Sequence, residues 1–118
     1  MVGVSPKSSR PSNRVAQYLQ EEGYSIIPVR PDVEEVLGRK CYKCLDDITE
    51  PVDVVCIFRN SDEVLPYVQE ALKLKPMAIW LPLGVANEEA AAAVENQGSL
   101  FVMDRCMKRE HEKLYYQS

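Results

Sequence analysis

The chain opens with Val2-Gly3-Val4-Ser5-Pro6-Lys7-Ser8-Ser9-Arg10-Pro11-Ser12-Asn13-Arg14, a short apolar run followed by a polar turn. The apolar run predicts a strand, and the amphipathic residues after the turn predict a helix. The turn carries hydroxyl groups, backbone amides and three cationic side chains. Backbone amides at a helix N-terminus bind anions, and the helix dipole favours negative charge there. This stretch therefore predicts a strand–turn–helix unit with a phosphate site in its turn.

The composition is that of an ordinary globular protein, with 46% hydrophobic and 27% charged residues among 118. This length suits one domain, which we expect to span residues 1–118. The net charge of −4 argues against a nucleic-acid footprint spread over the surface. No apolar run approaches the roughly 20 residues of a membrane span, and no secretory signal is recognised. The four cysteines are therefore expected to be reduced thiols of a cytoplasmic protein.

Continuous apolar runs predict strands that are covered on both faces, as in a parallel sheet. They are Val2–Val4, Tyr24–Val29, Val52–Phe58, Met77–Leu81 and Leu100–Met103. Helical patterns alternate with most of them, which predicts a single Rossmann-like, doubly wound α/β domain with a mainly parallel sheet of about five strands. The first run is short for a central strand, so we expect residues upstream of Met1 to extend it.

Helices are expected at Asn13–Glu22, Ser61–Leu74, Asn87–Gln97 and Arg105–Tyr115. The predicted N-caps are Ser12, Asn87 and Asp104. Pro66 is expected to split off or kink the first turn of the second helix. Residues 30–51 are less regular, with a helical turn expected at Leu45 and Ile48 and an extended piece at Cys41 and Tyr42.

Ligands in doubly wound sheets bind outside the carboxyl ends of the strands, where the strand order reverses. With the order 3-2-1-4-5, the first and fourth apolar runs would be neighbours at that point. The turn at residues 5–14 would then face the turn Trp80-Leu81-Pro82-Leu83-Gly84-Val85.

Several sequence pieces, in order and at matching spacing, resemble the small stand-alone CoA-binding proteins of bacteria and archaea. These share a fold with the CoA-binding domain of the succinyl-CoA synthetase alpha subunit. The pieces are Gly3-Val4-Ser5 with Arg10-Pro11-Ser12; Gly23-Tyr24 through Pro28-Val29-Arg30-Pro31; Gly38 with Cys41-Tyr42; Pro51-Val52-Asp53-Val54-Val55 through Phe58-Arg59; Trp80 through Gly84-Val85; and Met103-Asp104-Arg105-Cys106 with Lys108, Glu110 and His111. The resemblance covers the whole chain and specifies no reaction.

The resemblance implies that coenzyme A or an acyl-CoA lies along the carboxyl edge of the sheet. Cations and amides would hold its phosphates, and an apolar groove would hold its pantetheine arm. The residues implied for the diphosphate, beside the backbone at Gly3, are Ser5, Ser9, Arg10, Ser12 and Arg14. Those implied for adenine and ribose are Val29 and Arg30. Those implied for the arm are Phe58, Arg59, and Trp80 through Gly84.

Two positions depart from the pattern of the resembled family. Arg30 stands where that family usually has asparagine, so it could pair with the 3′-phosphate or signal a changed nucleotide preference. Pro82 stands where the family usually has glutamine, and proline removes both a side-chain amide and a backbone N–H. A polar contact near the pantetheine arm is therefore in question.

Structural interpretations stand beside these assignments. Arg10 and Arg14 could be solvated charges at a helix start, and Arg59 could pair with a surface carboxylate. Trp80 ends an apolar strand, so packing in the core would also explain it.

The cysteines invite metal and redox interpretations. Cys41-x-x-Cys44 with Cys106 and His111 would make a poor zinc set, because structural zinc normally takes two close pairs of ligands. No metal site and no catalytic constellation are therefore predicted. Cys106 opens the last predicted helix, where it could form a mixed disulfide with CoA under oxidation or pack as a buried thiol.

The first functional hypothesis is a binding or regulatory module for CoA or an acyl-CoA that catalyses no reaction itself. The alternative is the nucleotide-binding half of a CoA ligase, which would need a partner chain. An NAD-binding module of a redox regulator is a third hypothesis. It is weakened because Gly3 is the only glycine in the turn, so the fingerprint G-x-G-x-x-G is missing. It is also weakened because no acidic residue directly follows the second run, where an acceptor for a ribose hydroxyl would lie. Asp32 lies slightly past that point and is the only candidate.

Overall fold

The structure, a computed structural model, describes residues 1–115. Within that range the helices are α1 (Pro11–Glu21), α2 (Val64–Leu72), α3 (Glu88–Glu95) and α4 (Met107–Tyr115). The strands are β1 (Glu35–Val36), β2 (Arg39–Lys40), β3 (Val54–Cys56), β4 (Ala78–Trp80) and β5 (Leu100–Val102). No helix within the described range is both long enough and apolar enough to cross a bilayer. The chain is mixed α/β, as predicted.

The main sheet is parallel and has the strand order β3-β4-β5. Single-residue parallel bridges extend it beyond β3, because Val2 pairs with Ile57 and with Val29. Val29 in turn pairs with Tyr42. The order across the molecule is therefore Tyr42, Val29, Val2, β3, β4 and β5, which is Rossmann-like.

The prediction of a sheet of about five strands is wrong in number. The parallel sheet has three strands, because the first two apolar runs contribute only these bridges. Gly3 has a φ of 78°, so the chain leaves the extended conformation directly after Val2. Pro28 has no amide hydrogen and cannot continue a ladder. Val2 also pairs with the third apolar run and not with the fourth, which corrects the predicted strand order.

Two of the predicted N-caps are wrong. α1 begins at Pro11, since proline is favoured at the first helical position, and Arg10 is its N-cap without a side-chain bond. Ser12 therefore lies inside the helix. α4 begins at Met107, and Asp104 precedes it in a left-handed conformation with a φ of 58°.

The starts of the other two helices agree with the sequence. Asn87 caps α3, since its side-chain oxygen accepts a hydrogen bond from the Ala90 amide at 2.9 Å. A 3-10 turn at Ser61–Glu63 precedes α2, which begins at Val64. Pro66 thus follows a separate first turn, as predicted.

Two apolar clusters form the core. The larger joins the sheet to α2 and α3 and includes Val2, Val55, Ile57, Val64, Val68, Ala71, Ile79, Ala90 and Val94. The smaller joins α1 to the irregular region and includes Val4, Ala16, Leu19, Ile26, Val36 and Cys41. Val36 belongs to the antiparallel hairpin of β1 and β2, which the sequence analysis missed because its strands are short and mostly charged.

Candidate ligand-binding site

Two adjoining clefts open beyond the carboxyl ends of the central strands. The loop cleft, of about 520 Å³, is lined mainly by the turn at residues 5–12. The strand-end cleft, of about 450 Å³, is lined mainly by residues 29–32 and 43–45, with further walls from Arg59 and α2. Gly3, Arg30 and Asp32 line both clefts. The two clefts therefore meet at these residues.

The structure brings together most of the predicted site residues. Those lining the loop cleft are Gly3, Ser5, Arg10, Ser12, Arg30 and Phe58. Those lining the strand-end cleft are Gly3, Val29, Arg30 and Arg59. Neither cleft is lined by Ser9, Arg14, Trp80, Gly84 or Cys106.

The backbone at Gly3 lies close to the end of the third apolar run. Its amide donates a hydrogen bond to the Val29 carbonyl at 2.9 Å. A Cβ atom at this position would lie 2.5 Å from the carbonyl oxygen of Phe58. Only glycine fits this combination of a positive φ and a close backbone neighbour. The turn after Gly3 is thereby held against Phe58 and Arg59. The prediction that it faces residues 80–85 is therefore wrong.

The turn at residues 5–12 is held by hydrogen bonds within itself. The Ser5 amide donates to the Ser12 hydroxyl oxygen at 2.9 Å, and the Lys7 amide donates to the Ser5 hydroxyl oxygen at 3.1 Å. The Arg10 amide donates to the Lys7 carbonyl at 3.1 Å. The sequence suggested that the amides of this turn are available to an anion. These three amides are not available, because each already donates a hydrogen bond within the turn. Both serine hydroxyls keep a hydrogen that they can donate to a ligand.

Asn13 holds this turn through a hydrogen bond from within α1. The sequence analysis did not identify it as a site residue. Its side chain is 1% exposed. Its Nδ2 donates to the Ser5 carbonyl at 2.7 Å, and its Oδ1 accepts from the Gln17 side-chain amide at 2.6 Å. A signal was present, because Asn13 shares the buried stripe of α1 with Ala16 and Leu19. A polar residue in an apolar stripe needs internal hydrogen-bond partners.

Arg30 and Asp32 form a bidentate ion pair at the junction of the clefts. The Arg30 Nε and Nη2 atoms donate to the two carboxylate oxygens at 2.8 and 2.7 Å. This hydrogen bonding lowers the pKa of the Asp32 carboxyl and raises the pKa of Arg30. Asp32, the candidate ribose acceptor, is thus already engaged by a cation.

Arg59 pairs with a carboxylate of its own segment. Its guanidinium lies 2.9 Å from the Glu63 carboxylate and 5.5 Å from the centre of the Tyr67 ring. The structural interpretation of Arg59 as a partner of a surface acid is therefore confirmed. It nevertheless lines the strand-end cleft.

The turn at residues 80–85 is tied to the segment before α4. The Trp80 Nε1 donates to the Arg105 carbonyl at 2.6 Å. The Gly84 amide donates to the Asp104 carboxylate at 2.7 Å. The Asp104 carboxylate therefore accepts a hydrogen bond from Gly84 and is not the helix cap that the sequence predicted. Cys106 follows Arg105 and is partly buried.

The four cysteines are free thiols, of which Cys41 and Cys56 are buried. Burial raises the pKa of Cys56 to about 12. Cys44 lines the strand-end cleft, and its hydrogen bond with Asp47 raises its pKa. Among residues 1–115, no three His, Cys, Asp or Glu side chains converge as a metal site would require.

His111 has a structural contact that the sequence did not indicate. Its Nδ1 shares a hydrogen bond of 2.8 Å with the Tyr18 hydroxyl. The ring also packs edge-on against Tyr18 and Tyr24. His111 therefore joins α4 to α1.

The charge of the clefts is opposite to that of the whole chain. Their cationic side chains are Lys7, Arg10, Arg30, Lys43 and Arg59, and their acidic side chains are Asp32 and Glu70. Counted with Glu63, which pairs with Arg59, five cations and three acids leave a net charge of +2 among the described residues. The whole chain has a net charge of −4. A ligand with several negative charges is therefore favoured at this edge of the molecule.

Comparisons with known proteins identify the family of the chain. A family model described as a CoA binding domain matches residues 1–112. The uncharacterized protein YneT of Bacillus subtilis (strain 168) is 36% identical over 111 residues, which are 94% of this chain and 82% of that protein. A hypothetical protein from Pyrococcus horikoshii OT3 has a solved structure with a TM-score of 0.92 and 42% identity, over 96% of this chain and 80% of the other.

A more distant structure shows the same fold inside a larger protein. It is an acetyl-coenzyme A synthetase of Ca. Korarchaeum cryptofilum, with a TM-score of 0.74 and 22% identity. The match covers 87% of this chain and 25% of the synthetase chain. At this identity the likeness concerns the fold alone.

Proposed function

The chain belongs to the CoA-binding domain family, and from this we propose that it binds coenzyme A or an acyl-CoA as a non-catalytic binding or regulatory module. The observation that carries the proposal is the net positive charge around the two clefts of an acidic protein. Coenzyme A combines a diphosphate and a 3′-phosphate with an uncharged arm. Its charged head therefore matches the clefts better than a neutral or cationic ligand would.

Within this proposal the diphosphate lies in the loop cleft. The Ser5 and Ser12 hydroxyls donate hydrogen bonds to it, and Arg10 supplies the counter-charge. The position of α1 supports this, because its N-terminus adjoins the cleft and favours an anion. The 3′-phosphate lies toward Arg30 and Lys43, in the strand-end cleft. The pantetheine arm leaves along Phe58, beyond the end of β3.

Coenzyme A is expected to raise the melting temperature of the protein more than NAD or ATP at equal concentration. A ligand that binds only the native state adds about 2.7 kcal/mol at a hundredfold excess over its dissociation constant. Thermal unfolding with each ligand in turn measures the difference. Equal or greater stabilisation by NAD would contradict the proposal and favour a dinucleotide site.

Arg10→Ala is expected to weaken CoA binding by roughly 10- to 100-fold, the range for a hydrogen bond to a charged group. It should also flatten the dependence of affinity on salt, because one cation–phosphate contact is lost. Arg14→Ala is the matched control, since Arg14 lies one turn further along α1 and lines neither cleft. Calorimetric titration at two salt concentrations compares them. If both variants lose affinity equally, the anion does not lie in the loop cleft.

A further inference from the structure

Arg30 lies at the junction of the two clefts, and two of its N–H donor groups are already bonded within the protein. The Arg30 Nε and Nη2 atoms, which together form a fork, both donate to Asp32, at 2.8 and 2.7 Å. The remaining contact, from Nη1 to the Val4 carbonyl, is long at 3.4 Å. The side chains of the pair are 27% and 58% exposed. Ion pairs with this exposure contribute little net stability, so this pair can open at small cost.

We propose that Asp32 occupies, in the free protein, the place on Arg30 that the 3′-phosphate of coenzyme A takes in the complex. Asp32 thereby sets how strongly the site selects a nucleotide with a phosphomonoester on its ribose over one with a free ribose. The inference rests on the proposed function and adds a specificity-determining residue to it.

Charge and geometry decide the direction of the exchange. A guanidinium fork fits a carboxylate and a phosphate in the same bidentate way. A phosphomonoester carries about −1.5 to −2 charges near neutral pH, whereas a carboxylate carries one. Lys43 lines the same cleft and favours the group with the larger charge. The phosphate therefore displaces Asp32 from Arg30.

A free ribose offers only neutral hydroxyls. These cannot displace a carboxylate from a guanidinium, so the pair of Arg30 and Asp32 stays closed when 3′-dephospho-CoA binds. When CoA binds, the released Asp32 lies beside the phosphate as an uncompensated negative charge. Asp32 therefore weakens CoA binding and leaves dephospho-CoA binding nearly unchanged. Removing its charge should strengthen the affinity for CoA alone.

Calorimetric titration with CoA and with 3′-dephospho-CoA tests the inference. The wild-type protein should prefer CoA by about tenfold or more, since a charged hydrogen bond is gained. Asp32→Asn should tighten CoA binding several-fold and leave dephospho-CoA within about twofold. Arg30→Gln should remove most of the preference for CoA. Binding of dephospho-CoA reports in each variant that the fold is intact.

Glu70→Gln is the matched control, because Glu70 is the other acid of the strand-end cleft and lies on α2. Its effect on CoA binding should be smaller than that of Asp32→Asn, because it frees no donor of Arg30. Weaker CoA binding in Asp32→Asn, or an equal change for both ligands, would overturn the inference. Equal binding of the two ligands to the wild-type protein would overturn it while leaving the proposed function standing. Binding of neither ligand would defeat the proposed function and the inference together.

Discussion

Gly3→Ala is expected to lower the free energy of unfolding by about 2 to 5 kcal/mol, from left-handed strain and overpacking together. The strain arises because Gly3 has a φ of 78°. The overpacking arises because the new Cβ would lie 2.5 Å from the Phe58 carbonyl oxygen. That backbone cannot move freely, since the Phe58 amide donates to the Val2 carbonyl at 2.8 Å. Urea denaturation measures the loss.

Gly38→Ala separates the two causes. Gly38 has a φ of 76°, but an added Cβ would have no neighbour within 4 Å. It should therefore show only the cost of the left-handed conformation, about 1 to 2 kcal/mol. A loss in Gly3→Ala no larger than that in Gly38→Ala would mean that the approach to Phe58 does not constrain the turn. Gly3→Ala should also weaken CoA binding, because both clefts meet at this residue.

Asn13→Leu is expected to cost about 1 to 3 kcal/mol of folding stability, the penalty for a buried polar group left without a partner. Leucine has a similar size but cannot donate to the Ser5 carbonyl, which now accepts from Asn13 at 2.7 Å. The turn that forms the loop cleft should then lose its shape. CoA affinity, measured well below the melting temperature, should fall as well.

Gln17→Ala is the control for this network. It removes the bond to the Asn13 Oδ1 but leaves Asn13 able to hold the Ser5 carbonyl. Its effect on CoA affinity should be the smaller one, because the bond to the Ser5 carbonyl remains. If Asn13→Leu unfolds more easily but binds CoA as the wild type does, then Asn13 supports the helix and does not position the turn.

Much of the local structure follows from local sequence. Apolar periodicity predicts the helices at nearly their observed bounds, because an amphipathic stripe depends only on neighbouring residues. The cap at Asn87 and the separate turn before Val64 follow from residue types within a few positions. The helix α1 begins earlier than expected because proline is favoured at the first helical position, which Pro11 occupies.

The site was predictable where it depends on one segment. The turn at residues 5–12 stands out by its hydroxyls and cations, and Ser5, Arg10 and Ser12 do line the loop cleft. The other wall of the loop cleft, at Phe58, was not predictable in this way. Val52–Phe58 and Met77–Leu81 are both continuous apolar runs, and nothing local says which of them pairs with Val2.

The sequence by itself determined the α/β class, the parallel sheet and a turn suited to an anion. The reason is that hydrophobic pattern, capping and turn chemistry act over a few residues. Only the tertiary structure decided that the turn at residues 5–12 lies beside Phe58, that Asn13 holds this turn, and that Asp32 pairs with Arg30. Those outcomes depend on strand order and on the direction of individual side chains. Both are set by contacts between segments that are distant along the chain.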